Sequence, residues 1–161
     1  MKPAALKVQE ALLALGIDRT LIELPVSART SREAAGALGV DVAQIAKSLV
    51  FTSNGTPVLA IASGANRVDE RKLEQLTGGK IRKADAETVK QATGFAIGGV
   101  PPLAHATPLP TYIDRDLLQH EVIYPAGGVP ECVFPISPQE LLRATSGQVV
   151  DIRQDQSGGQ A

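Results

Sequence analysis

A chain of 161 residues, 43% hydrophobic and 20% charged, has the size and apolar content of one packed domain, and a second full domain does not fit. Sixteen basic against seventeen acidic residues leave a net charge of −1, which excludes extensive duplex binding by the whole surface and confines any nucleic acid to a local patch. The single cysteine, Cys132, excludes an internal disulfide, and Met1-Lys2-Pro3-Ala4-Ala5-Leu6 lacks the long apolar run of a secretion signal or membrane span, so a soluble cytoplasmic protein is expected.

With no Trp, three Phe and two Tyr, the core has to be aliphatic. Leu6, Leu12, Leu13 and Ile17 recur near helical spacing, which predicts an amphipathic helix from Pro3 to Leu15 stopped by Gly16. Thr20 to Leu24 reads as a short strand ended by Pro25. Ser31 to Gly39 reads as an Ala-rich helix capped by Thr30 or Ser31 and ended by its glycine. A helical turn from Asp41, covering Val42 to Ala46, is expected to deliver Lys47 to the head of a strand, Ser48 to Thr52. Asn54-Gly55 is a hairpin signal joining that strand to Val58 to Ala62, a run apolar throughout and so expected to be buried on both faces.

Asp69 to Leu76 predicts a helix with Val68, Leu73 and Leu76 inward and a solvated start, Asp69-Glu70-Arg71-Lys72. Lys80, Arg82 and Lys83 form a short basic run, by default a solvated face, alternatively a local contact for nucleic acid. A helix from Ala86 to Ala92 leads into the loop Thr93-Gly94-Phe95-Ala96-Ile97-Gly98-Gly99-Val100-Pro101-Pro102-Leu103-Ala104-His105. Its paired glycines let a ligand approach main-chain N–H and C=O groups, while Pro101 and Pro102 fix φ and keep the turn open. Short strands at Thr111 to Ile113, Val122 to Tyr124 and Glu131 to Phe134 follow, then a helix from Ser137-Pro138 to Ala144 and a strand from Val149 to Ile152. The expected fold is α/β: a mixed, curved or barrel-like sheet flanked by helices, one domain over residues 1–153 with a disordered tail over 154–161.

Familiar catalytic patterns are missing. The glycine loop lacks the Gly-Lys-Ser/Thr ending of a P-loop and the Gly-x-Gly-x-x-Gly spacing of a dinucleotide site. His105 and His120 form no zinc pattern with Cys132, and Ile61-Ala62-Ser63-Gly64-Ala65 is no nucleophile elbow, so neither metal nor cofactor is expected. Cys132 reads as a small core residue. What remains is Lys47, a main-chain cradle and His105, which either lines a pocket or closes its own loop with a hydrogen bond. Such a set suits hydrolysis of a bond already labile, by orienting water and stabilising an oxyanion with backbone N–H groups.

Two segments carry a resemblance. Thr30 to Phe51, with Glu33-Ala34-Ala35, Leu38-Gly39-Val40 and Ile45-Ala46-Lys47-Ser48-Leu49-Val50-Phe51, resembles the first signature of the YbaK/EbsC family of aminoacyl-tRNA deacylases. Gly94 to Pro102 resembles the second, with the family's Gly-x-x-x-Pro loop at Gly98-Gly99-Val100-Pro101-Pro102, and Pro138 to Ile152 resembles its closing helix and strand. The family is similar to the editing domain of bacterial prolyl-tRNA synthetases. The resemblance implies hydrolysis in trans of the ester joining a wrong amino acid to the 3′ end of tRNA, chiefly the tRNA for proline.

On that resemblance Lys47 would hold the terminal phosphate or the substrate carbonyl, and the Gly98 backbone would position the aminoacyl group and the attacking water. Gly99, Val100, Pro101, Pro102, His105, Ala126, Gly127 and Val133 would surround the substrate. The partners implied are the acceptor end of aminoacylated tRNA and prolyl-tRNA synthetase. Some members read Ser-Gly-Gly-Lys-Arg-Gly and then Asp where this chain has Ala126-Gly127-Gly128-Val129-Pro130-Glu131 and then Val133. Apolar groups in place of polar ones imply a small aliphatic side chain such as alanine or 2-aminobutyrate, although one methylene separates substrates by only about 1–3 kcal/mol. The competing class is a non-catalytic module that binds tRNA ends or the synthetase. Intact Lys47 and Gly98 favour the enzyme.

Overall fold

The computed structural model describes residues 1–26 and 28–155. Along the chain run α1 (Pro3–Ala14), β1 (Ile22–Glu23), α2 (Ser31–Leu38), a 3-10 turn (Val42–Gln44), β2 (Ile45–Ser53), β3 (Thr56–Ser63), α3 (Glu70–Thr77) and β4 (Ile81–Lys83). They are followed by α4 (Ala86–Thr93), β5 (Thr111–Asp114), a second 3-10 turn (Arg115–Gln119), β6 (Tyr124–Pro125), β7 (Cys132–Val133), α5 (Pro138–Thr145) and β8 (Gln148–Val150). One mixed sheet has the order β4-β2-β3-β5-β8 with β6 also on β2, and β1 pairs with β7 in a separate ladder. The fold is the expected mixed α/β, but the sheet is open and closes no barrel among the described residues.

The β2–β3 hairpin forms because Asn54 and Gly55 both take positive φ, 48° and 85°, the twist a two-residue hairpin turn demands. Register is then continuous from Ser53 opposite Thr56 to Ala46 opposite Ser63. Side chains alternate across a strand, so Leu59 and Ile61 enter one core with Val8, Leu12 and Phe134, while Val58 and Ala60 enter another with Leu73 and Ile152. Helices thus cover both faces of β3, which explains its unbroken apolar run.

The outer edge of β2 is covered differently. β6 pairs with it at Ile45 and Ala46, and β4 pairs with it from Phe51 to Ser53. Between them, Lys47 to Val50 has no strand on that side among the described residues.

Several expectations shift. The turn before β2 stops at Gln44, because Ile45 and Ala46 are already extended and paired, so Lys47 is the third residue of the strand rather than its head. Helix α1 buries Ala5, Val8 and Leu12 and leaves Leu6 and Leu13 exposed, since the small residues let it sit close to the core. In α3 Leu73 is buried but Leu76 is 40% exposed. The start of that helix is not merely solvated: Asp69 caps it, and Lys72 Nζ reaches Asp151 and Asp155 at 3.2 Å. Within the basic run, Ile81 to Lys83 form β4, whose Arg82 and Lys83 are exposed. Of the expected tail, Gln154 donates its N–H to Arg67 O (2.8 Å) and Asp155 meets Lys72, while residues 156–161 lie outside the described residues.

One buried carboxylate ties the far end of β3 to β5. Asp114 Oδ2 accepts from Ser63 N–H (3.1 Å) and Asn66 Nδ2 (2.8 Å), and its Oδ1 accepts from Asp116 N–H (2.9 Å). Replacing it with alanine strands three donors that water reaches poorly, each worth about 1–3 kcal/mol when left unpaired. We expect Asp114→Ala to lower the unfolding free energy in urea by about 3 kcal/mol. A loss below roughly 1 kcal/mol would mean that these groups find other partners.

Candidate active site

A cavity of about 570 Å³ lies against the uncovered edge of β2. Lys47, Ser48, Leu49 and Val50 form its back. Ile97, Gly98 and Val100 enter from the glycine loop, and Ala126, Pro130 and Val133 from the segment around β7. Arg29, Thr30 and Ser31 at the start of α2 and Arg67 after β3 complete it, with Lys83 from β4. The α2 contribution is held by a capping box: Thr30 Oγ1 accepts from Glu33 N–H (3.1 Å), and Glu33 Oε1 accepts from Thr30 N–H (3.0 Å).

Lys47 is half-buried on its strand. Burial, and after it the positive charge of Arg67, hold its amine below the usual lysine range, while buried Asp114 acts in the opposite sense. The lysine is a cation near another cation, with a carboxylate behind.

Gly98 has φ +91°, a region that only glycine enters freely, and a Cβ there would meet nothing closer than Pro130 Cγ at 3.8 Å. It is therefore needed for its backbone shape and faces open space. No protein acceptor among the described residues meets its N–H. Gly99 is needed for contact, since a Cβ would come within 2.7 Å of Val129 Cα and 2.9 Å of Gly128 O. The two loops touch through their main chains.

Lys47, Gly98, Val100, Ala126 and Val133 thus meet around one cavity. Gly99, Pro101, Pro102, His105 and Gly127 do not line it; they form the packing behind it. Pro101 and Pro102 are buried, and Gly127 lies against Leu21 and Cys132 because a Cβ there would come within 2.9 Å of Leu21 Cδ2. His105 donates Nε2–H to Pro101 O at 2.7 Å, so of its two readings the structure shows the loop-closing one. Burial holds its pKa below the usual histidine range against the opposing pull of that hydrogen bond. Cys132 is buried in the core, and burial pushes its thiol up.

Sequence reading missed Arg29 and Arg67. Arg29, Arg67 and Lys83 join Lys47 around the cavity, with Glu70 the one carboxylate beside them, and among the described residues none of the four is in a salt bridge. The four come from separate stretches of chain, and only Lys47 and the basic run containing Lys83 gave a signal. It also missed Ser48, whose Oγ is sealed from solvent without a hydrogen-bond partner. Among the described residues, no three His, Cys, Asp or Glu side chains are grouped to hold a metal ion, and no helix is long and apolar enough to cross a membrane.

A cationic cavity with a glycine main-chain wall, set on this open sheet, defines a known class. The chain belongs to the aminoacyl-tRNA editing domain family, whose model matches residues 26–144. It is a hydrolase of the aminoacyl-tRNA deacylase class, as the two sequence signatures indicated. The fold superposes on a solved structure described as a candidate trans-editing enzyme for prolyl tRNA synthetase, with a TM-score of 0.93, 47% identity, and coverage of 96% of this chain and 99% of that one. A protein of Enterococcus faecalis, EbsC, named as a candidate Cys-tRNA(Pro)/Cys-tRNA(Cys) deacylase, is 28% identical over 76% of this chain and 76% of its own length. The proline–tRNA ligase of Maridesulfovibrio salexigens is 35% identical over 58% of this chain, a match that spans 15% of the ligase.

The lowered proton affinity of Lys47 has a consequence for stability. Its folded pKa lies below the ordinary value of 10.5, so at neutral pH, where both states are charged, the folded state bears the unfavourable burial. That handicap shrinks as pH rises through the window below 10.5, where the folded form gives up its proton first. Lys47→Met is therefore expected to unfold at a urea midpoint equal to or above that of the parent at pH 7, with the gain fading towards pH 10. A clearly lower midpoint at pH 7 would show that the charge stabilises the fold.

Proposed function

We propose that this protein acts in trans on mischarged tRNA for proline, hydrolysing the ester of a small amino acid of the alanine or 2-aminobutyrate type. The observation that carries the reading is the meeting of Lys47 with the free main-chain wall at Gly98 in one cavity ringed by cations. An aminoacyl ester beside a ribose hydroxyl and an α-ammonium group is inherently reactive, so a site that only positions and polarises it is sufficient.

In this mechanism the ester carbonyl lies between Lys47 Nζ and the Gly98 N–H. Water attacks the carbonyl carbon, the developing oxyanion is stabilised by those donors, and the C–O bond to the ribose breaks as the ribose oxygen takes up a proton. The vicinal ribose hydroxyl assists as the neighbouring acid or base. No side-chain nucleophile is required.

The small substrate is supported by Ala34, Ala126 and Val133 on the cavity wall. A cysteinyl substrate is a second reading, favoured by the name of the EbsC relative. Prolyl-tRNA synthetase would be the partner that supplies the mischarged tRNA. A binding module without turnover shares the same cavity but predicts no ester loss.

A panel of alanyl-, 2-aminobutyryl-, cysteinyl-, seryl- and prolyl-tRNA for proline separates these readings. Alanyl or 2-aminobutyryl esters should be lost fastest and the prolyl ester spared. Fastest loss of the cysteinyl ester selects the second reading, and half-lives equal to buffer at enzyme excess leave only the binding module. Lys47→Ala should lower the rate by about 10²–10³-fold, as for loss of one oxyanion donor, with the circular dichroism spectrum unchanged. Near-parental turnover would remove Lys47 from the mechanism.

A further inference from the structure

Arg67 stands on a turn that is held from three sides. Asn66, buried just before it, donates Nδ2 hydrogens to Asp114 Oδ2 (2.8 Å) and Asp116 Oδ2 (2.9 Å). Asp116 is held in turn by Arg153 Nη1 at 2.9 Å, Arg67 O accepts from Gln154 N–H at 2.8 Å, and Val68 bridges Arg153. The Arg67 side chain comes off this braced turn to the cavity and, among the described residues, has no acidic partner.

Its neighbour across the cavity wall is Lys47, whose amine feels the arginine's charge. Two like charges border one cavity with Glu70 its one lining carboxylate among the described residues, which favours an anion brought into it. The Arg67 side chain is exposed, and its planar fork matches two oxygens of a phosphate.

The chemistry of an aminoacylated RNA end narrows the anion. Its amino acid carboxyl is esterified and its amino group is cationic, so the formal negative charges are the phosphodiesters. We propose that Arg67 grips the phosphodiester that joins the terminal nucleoside to the preceding nucleotide, and so sets how far the ester enters the cavity towards Lys47. This rests on the reading of the site as a tRNA-end deacylase. Arg67 is then a positioning residue, acting on the phosphate and not on the ester.

The test uses two non-hydrolysable probes, 3′-alanylamino-3′-deoxyadenosine and the trinucleotide CCA ending in that nucleoside, titrated calorimetrically into the full chain. The parent should bind the trinucleotide more tightly than the nucleoside. Arg67→Gln should weaken the trinucleotide roughly tenfold. It should leave the nucleoside unchanged and reduce the slope of log Kd against log salt by about 0.7, one single-strand phosphate contact. Arg67→Lys should recover part of the trinucleotide affinity.

Equal weakening of both probes, or an unchanged salt slope, would overturn the assignment. So would inorganic phosphate that displaces the trinucleotide at the trinucleotide's own concentration, which would mark a free-anion site. A parent that binds the nucleoside but gains nothing from the phosphates overturns the assignment while sparing the deacylase reading. A parent that binds neither probe overturns both.

Discussion

Strand β2 is paired along one side with β3 and only at its two ends on the other, and the site occupies the gap. A strand edge left without a partner is ordinarily a liability, because its N–H and C=O groups need bonds. Val50 O accepts from Ala84 N–H at 3.2 Å, and by strand alternation the N–H and C=O of Ser48 lie on the same open side. The unpaired stretch thus presents main-chain groups and Lys47 to one cavity. It persists because β6 and β4 are each too short to cover it, two and three residues long.

The cavity's charge depends on the same arrangement. The chain's net charge is −1, yet four cations border the site beside one carboxylate. Asp114 offsets part of this from behind the sheet while bracing the turn that carries Arg67. Positive charge is therefore concentrated locally, the condition under which a near-neutral protein can draw in a polyanion without binding nucleic acid over its whole surface.

The two loops that close the site work through contact of main chains. Gly99 against Val129, and Gly128 within 2.6 Å of Ala4 O had it a Cβ, bring the glycine loop, the segment before β7 and α1 to distances that side chains would forbid. Pro101, Pro102 and the His105 hydrogen bond stiffen this wall from behind. Their loss of a lining role reflects depth: in a loop only the residues at its tip, here Ile97, Gly98 and Val100, can reach the cavity.

Much was legible along the chain because it is local. Asn54-Gly55 specified the hairpin, the Thr30-Ser31 pair marked the start of α2, where the structure makes Thr30 the cap, and the paired signatures singled out Lys47 and Gly98. Local patterning was less able to choose which leucines of α1 and α3 turn inward, since Leu6, Leu13 and Leu76 are excluded by packing partners distant in sequence. The cation cluster as a whole was not legible for the same reason: Lys47 on β2, Lys83 on β4 and Arg29 and Arg67 in separate loops come around one cavity only in the folded chain. By itself the sequence determined most of the elements and the family, and it singled out Lys47 and Gly98, which line one cavity. Tertiary structure alone decided the open edge of β2, the cavity and its charge, because strand coverage and electrostatics arise from contacts between residues far apart in the chain.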